Sequence, residues 1–159
     1  MRIRATETKD WMLLKQVRLA ALLDTPTAFA VSYQTAAADS DEQWKERASS
    51  AGTEFWLAFE QDRPVAMVGA GVSSAQRFSL IGMWVEPAAR GSGVATHLVD
   101  AVKSRATDKG FDRVYLEVST DNARASDFYL RQGFVFLEEW EPLDSHPHIT
   151  VQTMLWIKR

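Results

Sequence analysis

The chain has 159 residues, 46% hydrophobic and 25% charged, with a formal net charge of −3 and no cysteine. That length bounds a single domain over residues 1–159 with a substantial core. The mild acidity argues against a nucleic-acid partner, and the missing thiols exclude disulfides, a cysteine nucleophile and thiolate metal sites. No run approaches the roughly 18 to 20 apolar residues that cross a bilayer, and Met1 to Glu7 leads into no secretory segment. No membrane partner is therefore expected, and a cytoplasmic location fits.

Arg2 to Ala5 reads as an opening strand. From Asp10 to about Leu23, the residues Trp11, Leu14, Val17, Arg18, Ala21 and Leu22 recur at helical spacing, with Asp10 as N-cap and Asp24 to Pro26 as terminator. Residues 27–39 read as a loop holding one helical turn. Ser40 and Gln43 then form a capping-box pattern ahead of a second helix through Ala48. Glu54 to Phe59 and Val65 to Gly71 pair as strands about a turn at Gln61 to Pro64. Phe78 to Val85 reads as a central strand, apolar on both faces. Gly91 to Lys109 reads as a long helix that turns Val94, Ala95, Leu98, Ala101, Val102 and Ala106 inward and stops at Gly110. Arg113 to Ser119 is the strand that completes a strand–helix–strand unit. Asn122 to Gln132 is a short helix stopped by Gly133. Phe134 to Trp140 and Ile149 to Ile157 are closing strands about a loop from Glu141 to His148.

Two stretches carry chemistry. The run from Val85 to Thr96 is a strand end, a proline turn and a glycine-rich bend that opens a helix. Successive N–H groups at Gly91, Ser92 and Gly93, with the positive end of the helix dipole, form an anion site suited to phosphates, to which Arg90 adds a charge-assisted contact. In the second stretch Asn122 and Tyr129 stand seven residues apart, two turns along one helical line, with the small Ala125 and Ser126 between them. A phenol aligned with an amide near a phosphate-binding bend suggests a long phosphate-bearing ligand with a reactive end.

These runs, V-x-P-x-x-R-G-x-G-x-A and N-x-x-A-x-x-F-Y-x-x-x-G-F, resemble the GNAT acetyltransferases, over roughly Phe78 to Trp140. The resemblance implies a mixed α/β fold, with a central, mostly antiparallel sheet flanked by helices, and acetyl-CoA as cosubstrate without a metal. It implies that backbone groups of Met83 and Val85 pair with the pantetheine arm. The amides of Gly91, Ser92, Gly93, Val94, Ala95 and Thr96 would hold the pyrophosphate, with Arg90 at its edge. Asn122 would hydrogen-bond the cofactor, and Tyr129 would lie near its sulfur. Ala95 stands where many members carry glycine. Glu117 matches the glutamate that serves as base in the ribosomal-protein alanine acetyltransferases, including the twelve-residue spacing to Tyr129.

The expected reaction is direct acetyl transfer to a primary amine of a small molecule or a peptide, with Glu117 as base and Tyr129 as acid. Read in isolation, Tyr129 is a packing aromatic and Glu117 a solvated strand charge; Glu86 is a second candidate base, on a turn. His146 and His148 flank Pro147 with no carboxylate cluster to complete a metal site, and His97 falls on the polar side of its helix. The tryptophans read as core or groove-lining residues. Use of another acyl-CoA, or a non-catalytic CoA-binding module, are the rival readings. Homodimerisation is common in the family, and the exposed closing strands could support it.

Overall fold

A computed structural model describes residues 1–159. Seven strands form one sheet: β1 (Arg2–Ala5), β2 (Glu54–Glu60), β3 (Arg63–Val72), β4 (Phe78–Val85), β5 (Arg113–Ser119), β6 (Val135–Leu143) and β7 (His146–Ile157). Their order across the sheet is β1-β2-β3-β4-β5-β7-β6, and only the β4–β5 contact is parallel. Three helices, α1 (Trp11–Asp24), α2 (Tyr33–Ala37) and α3 (Asp41–Ala48), precede β2. Helix α4 (Val94–Asp108) crosses from β4 to β5, and α5 (Ala123–Arg131) follows β5.

Strand alternation divides the core in two. Phe55, Leu57 and Phe59 of β2 join Leu14, Val17, Ala21 and Trp44 under α1 and α3. Trp56 and Ala58 face the other way, into the cluster under α4. The inner face of α4 buries Val94, Leu98, Val99, Val102 and Ala106; each valine or leucine so buried stabilises by about 1.5–3 kcal/mol.

The elements follow the sequence reading, with five corrections. Asp10 holds the N-cap position of α1, but its side chain does not cap the helix. It sits in a 3-10 turn at Thr8–Asp10, accepts the Glu7 N–H at 2.8 Å, and takes both Arg4 nitrogens at 2.7 and 2.9 Å. Helix α4 starts at Val94 rather than Gly91, because Gly91 and Gly93 hold φ of +83° and +85°, and Val99 joins its buried face where Ala95 and Ala101 are only half-buried. The stretch Glu141 to His148 is mostly strand, since a two-residue turn at Asp144 and Ser145 suffices to join β6 to β7. Trp140, on the edge strand β6, is exposed rather than packed.

The fifth correction concerns β4, which is not apolar and buried on both faces. Phe78 and Leu80 pack under α4, Trp84 packs under α1, and Ile81 is 39% exposed. Residues 78, 80 and 84 would share one face of a regular strand. An extra residue in β4 opposite Met67 to Gly69 reverses the alternation, at Gly82 with φ +60°. The Ser40–Gln43 capping box forms as expected, with bonds of 3.2 and 2.8 Å.

The Asp10 carboxylate is buried, and its bond to Arg4 holds its pKa below the ordinary range. Its contribution to stability is therefore present above the unfolded Asp pKa and is lost as pH falls through the lowered folded one. Asp10→Asn should cost about 1–3 kcal/mol in urea unfolding at neutral pH, a deficit that narrows in acid.

Candidate functional site

Neighbouring strands in this sheet pair over four or more residues, but β4 and β5 meet only at Ser79 and Tyr115. Beyond that pair they diverge, and a cavity of about 660 Å³ passes between them. One wall is β4 from Ser79 to Met83, and the other is β5 from Tyr115 to Ser119 with Asn122, Ala125 and Tyr129. Residues 27–31 and Glu139, Glu141 and Leu143 of β6 close it on the side away from α4. The Ser145 hydroxyl donates to the Phe29 carbonyl, tying the β6–β7 turn to that loop.

Beyond the cavity, β4 runs into the glycine bend. The Glu86 N–H donates to Val65 of β3, so by alternation the backbone groups of Val85 and Met83 turn toward the open β5 side. None of the backbone N–H groups from Gly91 to Thr96 finds an acceptor within the protein, and α4 lacks a side-chain cap. Helices α2, α3 and α5 are capped by Ser32, Ser40 and Asn122. An uncapped helix start after two left-handed glycines is a row of donors open to an anion.

Arg90 does not extend freely beside this row. Its Nε donates to the Val85 carbonyl at 2.9 Å and Nη2 to Asp24 at 2.7 Å, while Trp84 Nε1 donates to the same Asp24 oxygen at 3.0 Å. Ser92 Oγ donates to the Ala89 carbonyl, and Thr96 Oγ1 accepts from Gln132 Nε2, so neither hydroxyl is idle.

Asn122 and Tyr129 do not lie on one helical line. Asn122 is the N-cap of α5, outside the helix, and its Oδ1 accepts the Ala125 N–H at 3.1 Å, which leaves its Nδ2 to donate. Both still line the cavity with Ala125. Tyr129 is buried, its ring edge-on to Phe128 and Phe134 at 5.2 and 5.7 Å, and burial pushes its phenol pKa well up. The phenol therefore keeps its proton at neutral pH. Glu117 lies on the opposite face of β5 from Leu116 and Val118 but borders the same cavity. Burial, and then the charges of Glu141 and Asp144, raise its carboxyl pKa above the usual range, as suits a base. Glu86 is instead engaged by Arg63 at 2.7 and 2.9 Å. His97 is exposed, and the His146 and His148 rings stack edge-on at 5.9 Å.

The sequence reading missed Asp24, the 27–31 loop, Arg77 and Arg18 as parts of this region. Arg77 donates to Glu139 at 2.7 and 3.2 Å and stands over the Tyr115 ring. A signal existed for Arg18: a cation within the apolar stripe of α1.

The family model described as "Acetyltransferase (GNAT) family" matches residues 18–134. N-acetyltransferase 8B of Rattus norvegicus is 35% identical over 91 residues, 54% of this chain and 41% of that protein, so the chain spans less than half its length. The structure of a GNAT-family acetyltransferase from Streptococcus pneumoniae superposes with a TM-score of 0.81 at 20% identity, over 99% of both chains. A Bacillus anthracis protein described as a streptothricin acetyltransferase in complex with acetyl coenzyme A superposes with a TM-score of 0.64 at 16% identity, over 72% of this chain and 67% of that one.

No atom lies within 4 Å of a Cβ built on Gly93 or Gly52, yet only Gly93 has positive φ. Gly93→Ala should therefore cost about 1–2 kcal/mol in urea unfolding through strain alone, with Gly52→Ala near neutral.

Proposed function

The chain belongs to the GNAT acetyltransferase family, and from that premise we propose that it transfers an acetyl group from acetyl-CoA directly to a primary amine of a small molecule or peptide. The observation that carries this reading is the course of β4. Its unpaired edge faces the same cavity as Tyr129, then leads into the uncapped N–H row. A pantetheine arm needs such an edge, and a diphosphate needs such a row, so the residues present fit coenzyme A.

We assign the pyrophosphate to the amides of Gly91, Ser92, Gly93, Val94, Ala95 and Thr96, with Arg90 at the edge, and the pantetheine to Met83 and Val85. Asn122 donates to the cofactor through Nδ2, its Oδ1 being engaged. When bound, acetyl-CoA supplies a thioester carbonyl for attack and a thiol as leaving group. An alkylammonium with a pKa of about 10 cannot attack until it loses a proton, and Glu117 takes that proton directly or through water. A backbone N–H near Val85 donates to the carbonyl oxygen as negative charge develops there. Tyr129 donates its hydroxyl proton toward the departing sulfur. No acyl-enzyme is invoked, since the chain has no cysteine to carry one. The exposed Val135, Phe136 and Trp140 on edge strand β6 support a homodimer through that edge, and the lack of cysteine accords with a cytoplasmic location. No helix is long and apolar enough to cross a membrane.

Calorimetry should detect acetyl-CoA binding to the wild-type protein; a folded protein that ignores coenzyme A and its acyl forms would end this reading. Tyr129→Phe should slow turnover by roughly one to three orders of magnitude while cofactor affinity is nearly kept. The pH profile of kcat/KM should rise through the elevated Glu117 pKa. Removing a neighbouring negative charge in Glu141→Gln should move that limb to lower pH, and Glu117→Gln should abolish it.

A further inference from the structure

The charges around the cavity are unevenly satisfied. Arg77 is held by Glu139 in two bonds and also feels the charge of Glu141, whereas Glu117 and Glu141 form no ion pair of their own. Arg18 is the counterpart to them. It comes off α1 into the cavity wall, its guanidinium carbon 5.7 Å from the centre of the Phe29 ring, and none of its nitrogens donates a hydrogen bond to the protein. Nη1 lies buried against β4, 2.7 Å from where a Cβ on Gly82 would stand.

No carboxylate pairs with this guanidinium, and Asp39, which lines a second cavity beside it, is held by Arg47 instead. On α3 the nearby charge is Arg47, which shares a smaller cavity of about 110 Å³ with Arg18, and Arg47 already binds Asp39. The loop offers Phe29 and β4 offers Gly82. A largely buried cation without a counterion works against folding, since desolvation is uncompensated. Such a residue in a cavity wall is accounted for by an anion that arrives from outside.

Resting on the proposed acetyl transfer, we infer that Arg18 selects acceptors bearing a carboxylate alongside the primary amine. The carboxylate pairs with Arg18, and the ammonium faces Glu117 and Glu141 before it gives up its proton. The cavity is thus dipolar and complements a zwitterionic amine rather than a polyamine.

The test supplies acetyl-CoA with amino acids, ω-amino carboxylic acids and their carboxamides, with phosphoethanolamine and spermidine alongside, and follows thiol release. Wild type should prefer a carboxylate over its carboxamide by about tenfold or more in kcat/KM. Arg18→Met should raise KM for the carboxylate by about ten- to a hundredfold, leave kcat within a few fold and change carboxamide kinetics far less, so that the preference collapses. Its melting temperature should hold or rise, because no ion pair is lost. Arg18→Lys should restore part of the preference. Equal use of carboxylate and carboxamide, a preference for phosphoethanolamine or spermidine, or refusal of every carboxylated amine by protein that binds acetyl-CoA would each overturn the inference. So would Arg18→Met with a lowered melting temperature and unchanged selectivity, which marks a structural residue. Absence of acetyl-CoA binding would instead remove the proposed function, and this inference with it.

Discussion

The parting of β4 from β5 governs the rest of the structure. Backbone N–H and C=O groups in a sheet interior are obligatory hydrogen-bonding groups, and leaving them unpaired costs free energy comparable to the bonds lost. Here they are left open in the middle of a seven-stranded sheet, where covering strands would be easiest to supply. The bulge at Gly82 belongs to this departure. It adds a residue to β4, reverses which side chains face which layer and brings Trp84 under α1, while Leu80 stays under α4. The proposed coenzyme A would lie along this open edge of β4, with its anionic end at the row of free amides beyond Arg90.

A slot through a sheet has two mouths with different chemistry. On the α5 side stand Asn122, Ala125 and Tyr129, a buried phenol among aromatic rings. On the other side stand Glu117, Glu141 and the loop after α1, with carboxylates that repel one another. Burial acts in the same direction on both titratable groups, keeping the phenol protonated and making the carboxylate more basic. Tyr129 on α5 is thereby kept as a donor, while Glu117 on β5 becomes the better proton acceptor. In the proposed reaction the two substrates would approach from opposite sides of the sheet and so would not compete for space.

The glycine bend, the capping box at Ser40, the crossover helix and the antiparallel closing pair were legible because each rests on local rules: φ-permissive residues, reciprocal caps and short-range periodicity. Gly82 was not legible, because a single glycine within an apolar run does not reveal whether the strand stays in register. Nor was the end of the Asn122 helix line, since an Asn at a helix start can cap or can continue the turn, and here capping won. Arg18 was visible as a residue at a core position of α1, but whether a counterion awaited it depended on Gly82, Phe29 and Arg47, from three distant segments. The Glu141 to His148 stretch misled through its two prolines. Pro142 sits on the edge strand, where a missing N–H costs little.

Helix α1 joins the two ends of the site. Arg18 lies midway along it, in the cavity wall, and Asp24 lies at its last turn, bonded to both Trp84 and Arg90. The Asp24 carboxylate is held below its usual pKa range, first by Trp84 and then by Arg90, so it remains charged throughout the neutral range. Being partly solvated, this cluster contributes little to global stability. Its effect is positional: it fixes the start of the bend relative to α1 and leaves Arg90 already neutralised. Attraction for the proposed diphosphate at this bend would therefore fall mainly to fixed backbone dipoles rather than to a mobile side chain. Such an arrangement would need little reorganisation on binding, and the proposed diphosphate would share Arg90 with Asp24, linking the bend to the helix that carries Arg18.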